Sequence, residues 1–331
     1  MVKNKGFNIV IPDMVKPPAD VEQEVFGPDS EIFIGQAVAT DQISDDIWQN
    51  CEAILAYDKL FYDSDLLERL NKCKVIIRVG VGYDNVDLIE TKKLNITVCN
   101  VPDYGTGEVA DHTIFLLLSL ARGLHDYTER VESKNWDRHH PVSFRLDGKT
   151  LGIIGLGRFG TAVAMRIKAF GIRIIFYDPY IKDGYDKALG VERVESLDDL
   201  ARKADIVSIH APLTGETNKM IGGAFFSKAK NGIVLINTAR GAIIDLAELE
   251  KAMRKGTVKA CGLDVLPIEP SDESQTLIVA YENNEEWLRG RMLVTPHIAF
   301  YSPQSYEEMR RKAAQEALRV LKGEKARNRV N

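Results

Sequence analysis

The sequence predicts an α/β protein built from two doubly wound, parallel-sheet domains, and three observations carry that reading. Short apolar runs alternate with helical stretches along nearly all of the 331 residues, as parallel strands joined by helical crossovers require. Residues 151–178, LGIIGLGRFGTAVAMRIKAFGIRIIFYD, set a buried strand before a glycine turn, a helix and a second strand closed by an acid. The chain is also long enough to bury two separate cores. Both halves are expected to be Rossmann-like, with the active site in the cleft between them.

The glycine turn organises the rest. Gly155 allows the tight bend, Gly157 lets a diphosphate approach the backbone, and Gly160 lets the following helix pack close to the strand. The free N–H groups and positive dipole end of that helix form an anion site. Arg158 and Phe159 lie inside the turn, and the guanidinium can add a charge-assisted contact. The strand 173–177 runs into Asp178, whose carboxylate suits the ribose hydroxyls of NAD and repels the 2'-phosphate of NADP. No Arg follows at once to accept that phosphate, so NAD is the expected cofactor, with NADH preferred over NADPH.

Composition excludes several classes. A formal net charge of -5 gives no general attraction to nucleic acid or acidic membranes. The basic run from Lys322 reads as a solvated end. The four cysteines, Cys51, Cys73, Cys99 and Cys261, show no CxxC pairing and read as buried free thiols of a reducing compartment. No metal is expected. Lys3, Lys5 and the short run FNIVIP do not make a signal peptide, and the longest uncharged apolar run, 114–121, is too short for a membrane span. A cytoplasmic protein is expected.

Taken in order, apolar runs at 7–12, 32–35, 53–57, 75–80 and 96–101 read as the strands of a first unit, residues 1–101. The turn 78–87 lies at the end of its fourth strand, where ligands of such sheets bind. A long helix begins at Glu108, and its middle, IFLLLSLA, is apolar all round. Such a helix must be covered on every side, and a homodimer contact is preferred here over an intramolecular core. The polar segment 125–146, with Trp136, His139 and His140, reads as an arm across that contact. The second unit, 102–297 including the helix and arm 104–146, continues with strands at 151–154, 173–177, 206–210, 232–237, 260–265 and 292–294. The last helix, 304–321, is stopped by Gly323 and returns to the first unit, which then comprises 1–101 and 298–331.

Three loops after the later strands each offer one residue suited to chemistry. Arg240, in NTARG, can hold a carboxylate by two parallel hydrogen bonds. Glu269, in DVLPIEP, and His297, in VTPH, form a recurrent acid/base pair, in which the carboxylate holds the imidazole and stabilises its protonated form. Taken one at a time, each has a plainer reading as a surface ion pair, a solvated charge or a loop histidine.

The motifs GLGRFG (155–160), HAPLT (210–214), NTARG (237–241), GLDVLPIEP (262–270) and TPHIAFYS (295–302), preceded by VGVGYDNVD (79–87) and NVPDYGTGEVADHT (100–113), stand in one order. That set resembles the D-isomer-specific 2-hydroxyacid dehydrogenases from about Val75 onward. It is most similar to the branch containing the carboxyl-terminal-binding-protein corepressors, through FYDPY (176–180) and Tyr301–Ser302. The resemblance implies that Arg240 clamps a 2-oxo acid, that His297 is its proton donor, and that Glu269 orients His297. It places Asp264, Thr238 and Ala239 at the nicotinamide, the 211–217 loop with Ala211, Pro212 and Thr217 along the adenosine, and Thr113 at the diphosphate. Backbone N–H groups of Val79, Gly80 and Val81, with Arg78, would complete the carboxylate site.

Departures narrow the choice. The corepressor branch has Trp where Phe300 stands, and formate dehydrogenases have Gln where Glu269 stands. At 331 residues the sequence leaves no room for the regulatory domain of many phosphoglycerate dehydrogenases. Tyr57 and Lys59 fall where the family reads substrate side chains, and Lys59 suits a second anionic group. The resemblance thus implies reversible hydride transfer between NADH and a small 2-oxo acid giving a D-2-hydroxy acid. The rival is an NAD(H)-sensing dimeric interaction protein with residual or no dehydrogenase activity.

Overall fold

The computed structural model describes residues 6–139 and 143–331. Lys3, Lys5 and His140 lie outside the described residues. The chain divides into two compact units, one formed by residues up to Gly105 together with Ser302–Asn331, the other by Thr106–Tyr301.

The first unit holds five parallel strands, β1 (Asn8–Ile11), β2 (Glu31–Ile34), β3 (Ala53–Ala56), β4 (Val75–Arg78) and β5 (Thr97–Asn100). Their spatial order is β2-β1-β3-β4-β5. Strands β3 and β4 are buried along their whole length, in keeping with the apolar runs AILA and VII, and β4 closes on the buried Arg78. The helix Pro303–Leu321 opens on a capping box in which Ser302 and Ser305 exchange hydrogen bonds, and it packs on Asp20–Phe26, β3 and β4. Gly323, at φ 77°, supplies the left-handed residue that ends it.

The stretch after that helix is solvated along Lys322–Lys325, but its last residues are tied to the sheet. Glu316 accepts the N–H groups of Arg327 and Asn328, Val330 N–H bonds Val98 O, and the Asn331 side chain bonds Val98 N–H and Ile96 O. The basic composition suggested solvent, but the open edge of β5 still needed backbone partners, and these residues supply them.

The second unit holds seven parallel strands: β6 (Thr150–Ile154), β7 (Arg173–Tyr177), β8 (Glu192–Arg193), β9 (Ile206–Ile209), β10 (Ile233–Asn237), β11 (Val258–Leu263) and β12 (Met292–Val294). Their order, β12-β11-β10-β9-β6-β7-β8, reverses direction between β6 and β9. In such sheets the crevice at the carboxyl ends beside that reversal receives ligands. The long helix runs Thr106–Arg122 and lies against the helix Arg158–Ile167 and β11. Leu116, Leu117, Leu120 and Ala121 are buried there, whereas Phe115 is 52% exposed. All four cysteines are buried free thiols. No helix among the described residues is long and apolar enough to cross a membrane.

Candidate active site

The glycine turn sits at the carboxyl end of β6, beside the reversal point, and its three glycines answer to three different constraints. Gly155 has φ 86°, and a Cβ there would stand 2.9 Å from His210 O in the loop after β9. A Cβ on Gly160 would lie 2.1 Å from Gly155 O, so only glycine lets the helix close on the turn. At Gly157 a Cβ would meet nothing within 4 Å. The helix Arg158–Ile167 begins there on an N-cap glycine that offers its first N–H groups no side-chain bond, the arrangement of an anion site.

At the end of β7, Asp178 accepts Leu156 N–H through Oδ2 and Tyr180 N–H through Oδ1. Those bonds hold its carboxylate at the lip of the turn. The facing 211–217 loop is braced by Thr217, whose hydroxyl donates to Pro212 O at 2.6 Å and accepts Thr214 N–H. Tyr180 and Glu216 join the two sides by a hydrogen bond. Arg158 is exposed, while Phe159 and Ala211 are half-buried. An open glycine position, an uncapped helix start and a carboxylate beyond the next strand fit a dinucleotide.

Arg240, Glu269 and His297 come together in this unit. Glu269 Oε2 lies 2.7 Å from His297 Nδ1, and its Oε1 accepts Leu266 N–H at 2.7 Å. Burial raises the Glu269 carboxyl, but the hydrogen bond and charge of His297, the Leu266 N–H and the Arg240 charge outweigh it, leaving the pKa below the ordinary glutamate value. Arg240 follows β10 on a turn shaped by the fully buried Asn237, which donates to Arg240 O and accepts Ala239 N–H. Phe300 meets His297 edge-on, with ring centroids 6.2 Å apart.

His297 itself has φ 53°, an uncommon conformation for a residue with a side chain. Asp264 holds it there. Its main-chain O accepts His297 N–H, Oδ1 accepts Ile298 N–H, and Oδ2 accepts Ala299 N–H, at 2.8, 3.0 and 2.9 Å. Thr295 also donates to Oδ1 at 2.6 Å, and His112, from the long helix, lies 3.0 Å from the Thr295 hydroxyl. The carboxylate expected at the nicotinamide is thus committed to the turn carrying His297. His112, Thr295 and Asn237 went unread in the sequence. Asn237 had a local signal as a turn-forming Asx residue, but His112 and Thr295 are 183 positions apart.

These strand-end loops are those of a known family. Residues 114–299 match the model for the D-isomer specific 2-hydroxyacid dehydrogenase NAD binding domain. The chain belongs to the D-isomer specific 2-hydroxyacid dehydrogenases. It is 36% identical over 267 residues to the D-3-phosphoglycerate dehydrogenase of Methanocaldococcus jannaschii, covering 81% of this chain and 49% of the relative. It is 32% identical over 311 residues to C-terminal-binding protein 1 of Caenorhabditis elegans, covering 92% and 42%. The chain therefore spans about half the length or less of these curated relatives. The D-lactate dehydrogenase of Aquifex aeolicus, solved with NAD and lactic acid, superposes with a TM-score of 0.84 at 30% identity, covering 96% of each chain.

The remaining residues expected of this dehydrogenase fold are placed as follows. Thr113, expected at the diphosphate, is 2% exposed, with its hydroxyl donating to Val109 O and lying 2.9 Å from the Thr238 hydroxyl. In the first unit, the fully buried Asp13 accepts Tyr57 N–H and Lys59 N–H, fixing the loop after β3. Burial raises the Asp13 carboxyl further than these bonds lower it. The Tyr57 side chain is buried and Lys59 is exposed. After β4, Arg78 donates to Val79 O, Val79 N–H bonds Ala56 O, and Asn100 donates to Val81 O. Gly80 has φ 152°, which side chains rarely adopt, and a Cβ there would stand 2.6 Å from Arg78 Nη1 and push the guanidinium aside.

Proposed function

We propose that the protein is an NAD-dependent D-2-hydroxyacid dehydrogenase that reduces a small 2-oxo acid, with His297 as general acid, Glu269 as its orienting base and Arg240 as the carboxylate clamp. The observation that carries the reading is the 2.7 Å bond between Glu269 Oε2 and His297 Nδ1 beside Arg240. With Nδ1–H committed to Glu269, the second ring nitrogen is left to hold the transferable proton. His297 passes it to the oxygen of the developing alkoxide, and Glu269 stabilises the imidazole's charged form until then. Arg240 grips the substrate carboxylate and draws charge from the neighbouring carbonyl.

NAD, held at the glycine turn, supplies the hydride chemistry. Gly155, Gly157, Arg158, Phe159 and Gly160 would hold its diphosphate, Asp178 its adenosine ribose, the 211–217 loop its adenosine, and Thr238 with Ala239 its nicotinamide end. The Asp178 carboxylate favours NADH over NADPH. Lys59, Tyr57, Arg78, the backbone of Val79–Val81 and Phe300 are the proposed substrate readers. The active form is proposed to be a cytoplasmic homodimer formed through the long helix and the segment after it.

Oxidation of NADH at 340 nm is measured against glyoxylate, hydroxypyruvate, pyruvate, 4-methylthio-2-oxobutyrate, phenylpyruvate, 3-phosphohydroxypyruvate and a sulfonated analogue. Turnover of one member is expected, abolished by Arg240→Ala. His297→Asn is expected to bind NADH normally while turnover falls about 10²- to 10⁴-fold. Wild-type turnover in His297→Asn overturns the assignment, and NADH binding without turnover on any acid favours the sensing role instead.

A further inference from the structure

The opposite end of the seven-stranded sheet holds a second concave site. A cavity of about 120 Å³ opens at the amino ends of four adjacent strands, β11, β10, β9 and β6. Its walls include Lys149 before β6, Asp205 before β9, Lys230 with Asn231 and Gly232 before β10, and Lys259 on β11. The glycine turn lies at the far end of β6, a full strand away, so the two sites are separate.

The charges around this cavity do not cancel. Asp205 is satisfied from within, since its Oδ1 bonds Lys230 Nζ at 3.0 Å and its Oδ2 accepts Thr150 N–H at 2.9 Å. Its single charge is therefore balanced by Lys230. Among the described residues, neither Lys149 nor Lys259 has a carboxylate oxygen within 4.0 Å. Lys259 instead sits 5.7 Å from the ring centroid of Phe144, a weak substitute for an anion. Burial and the neighbouring Lys149 charge both push the Lys259 ammonium below its ordinary range. Three lysines thus share one concave wall with a single carboxylate, Asp205, which bonds Lys230 and also feels the Lys149 charge, leaving the wall net positive.

We propose that this cavity binds a small multivalent oxyanion, inorganic phosphate or the phosphate group of a phosphomonoester, held by Lys149 and Lys259 with Lys230 at the rim. The volume suits that class. The space has room for several waters, and so for a tetrahedral oxyanion. A doubly charged anion neutralises both ammonium groups at once, which chloride does not. Lysines also suit the task, since each offers three rotatable donors to a compact, highly charged ligand.

Phosphate can also reach the glycine turn, so the test holds that site closed. Isothermal titration calorimetry of the full chain with saturating NADH follows inorganic phosphate, and separately glycerol 3-phosphate, at constant ionic strength. The native protein is expected to bind one equivalent of at least one of them. Lys149→Met with Lys259→Met, which keeps the aliphatic stems, is expected to weaken that binding at least tenfold. Because this variant loses two facing like charges, its unfolding temperature without phosphate is expected to match or exceed the native value, separating lost binding from lost fold. Preference for the ester or for the free ion identifies the source of the ligand, and either supports the site. No saturable binding in the native protein, or unchanged affinity in the double variant, overturns it.

Discussion

Asp178 and Asp264 show how differently two carboxylates at strand ends are used. Asp178 is braced by two backbone N–H groups at the mouth of the glycine turn, and its charge opposes a 2'-phosphate. Asp178→Ala is expected to reduce the ratio of kcat/KM for NADH over that for NADPH by at least tenfold, and an unchanged ratio removes Asp178 from cofactor choice. Asp264 instead spends both oxygens on the turn that carries His297. In Asp264→Asn the amide must point an N–H at one of those donors, so the turn shifts. Displacing a reacting group by about 1 Å costs roughly 10²-fold, and a kcat loss of that order with nearly constant NADH affinity is expected. If NADH affinity falls instead while kcat holds, the residue serves the nicotinamide. The glycine turn was legible because its GxGxxG spacing lies within six consecutive residues between a strand and a helix, and the buried strands because full burial favours apolar runs. The Asp264 clamp was not, because its members His112 and Thr295 meet only after the whole unit has folded.

At the scale of elements, the sequence showed what a segment buries more clearly than what it pairs with. β8 has two residues, Glu192 and Arg193, both half-buried, so neither its length nor its polarity announces a strand. The basic run from Lys322 reads as a solvated end because its charges are visible and the open edge of β5 is not. The long helix lies between these cases. Its all-round apolarity predicted a covered helix, and within its own unit one side stays open at Phe115, with Leu124 and Val131 of the next helix 54% and 53% exposed. An apolar surface of that kind is expected to be covered by another molecule. Phe115→Asp is therefore expected to shift the protein from dimer to monomer in sedimentation velocity while leaving NADH binding measurable. A native protein that sediments as a monomer at micromolar concentration refutes the dimer contact directly.

For the whole molecule, two half-buried histidines, His112 and His210, bear on the response to acid. Burial pushes His210, which lies 2.8 Å from the Ser208 hydroxyl through Nε2, down to about 3. Burial also lowers His112, more than the Asp264 charge raises it. In the unfolded chain both return to about 6.5, so below that pH the unfolded state binds protons that the native state refuses. The sign follows: their contribution to stability is complete above pH 6.5 and is lost as pH falls, for His210 down to about 3. Asp13 acts oppositely in the other unit, since its raised pKa gives stability that is present in acid and lost as the carboxyl ionises. Acid is therefore expected to weaken the seven-stranded unit first. One histidine held neutral approaches a slope of about 1.4 kcal/mol per pH unit below its unfolded pKa, which integrates to about 1.7 kcal/mol between pH 6.5 and pH 5. Urea unfolding across that interval is expected to show at least this loss, and His210→Gln, which keeps a hydrogen-bonding partner for Ser208 but cannot titrate, is expected to flatten the slope by about that amount. An acid dependence identical to the native protein's in His210→Gln shows that the imidazole titrates alike in the folded and unfolded states, and the lowered folded pKa falls with it.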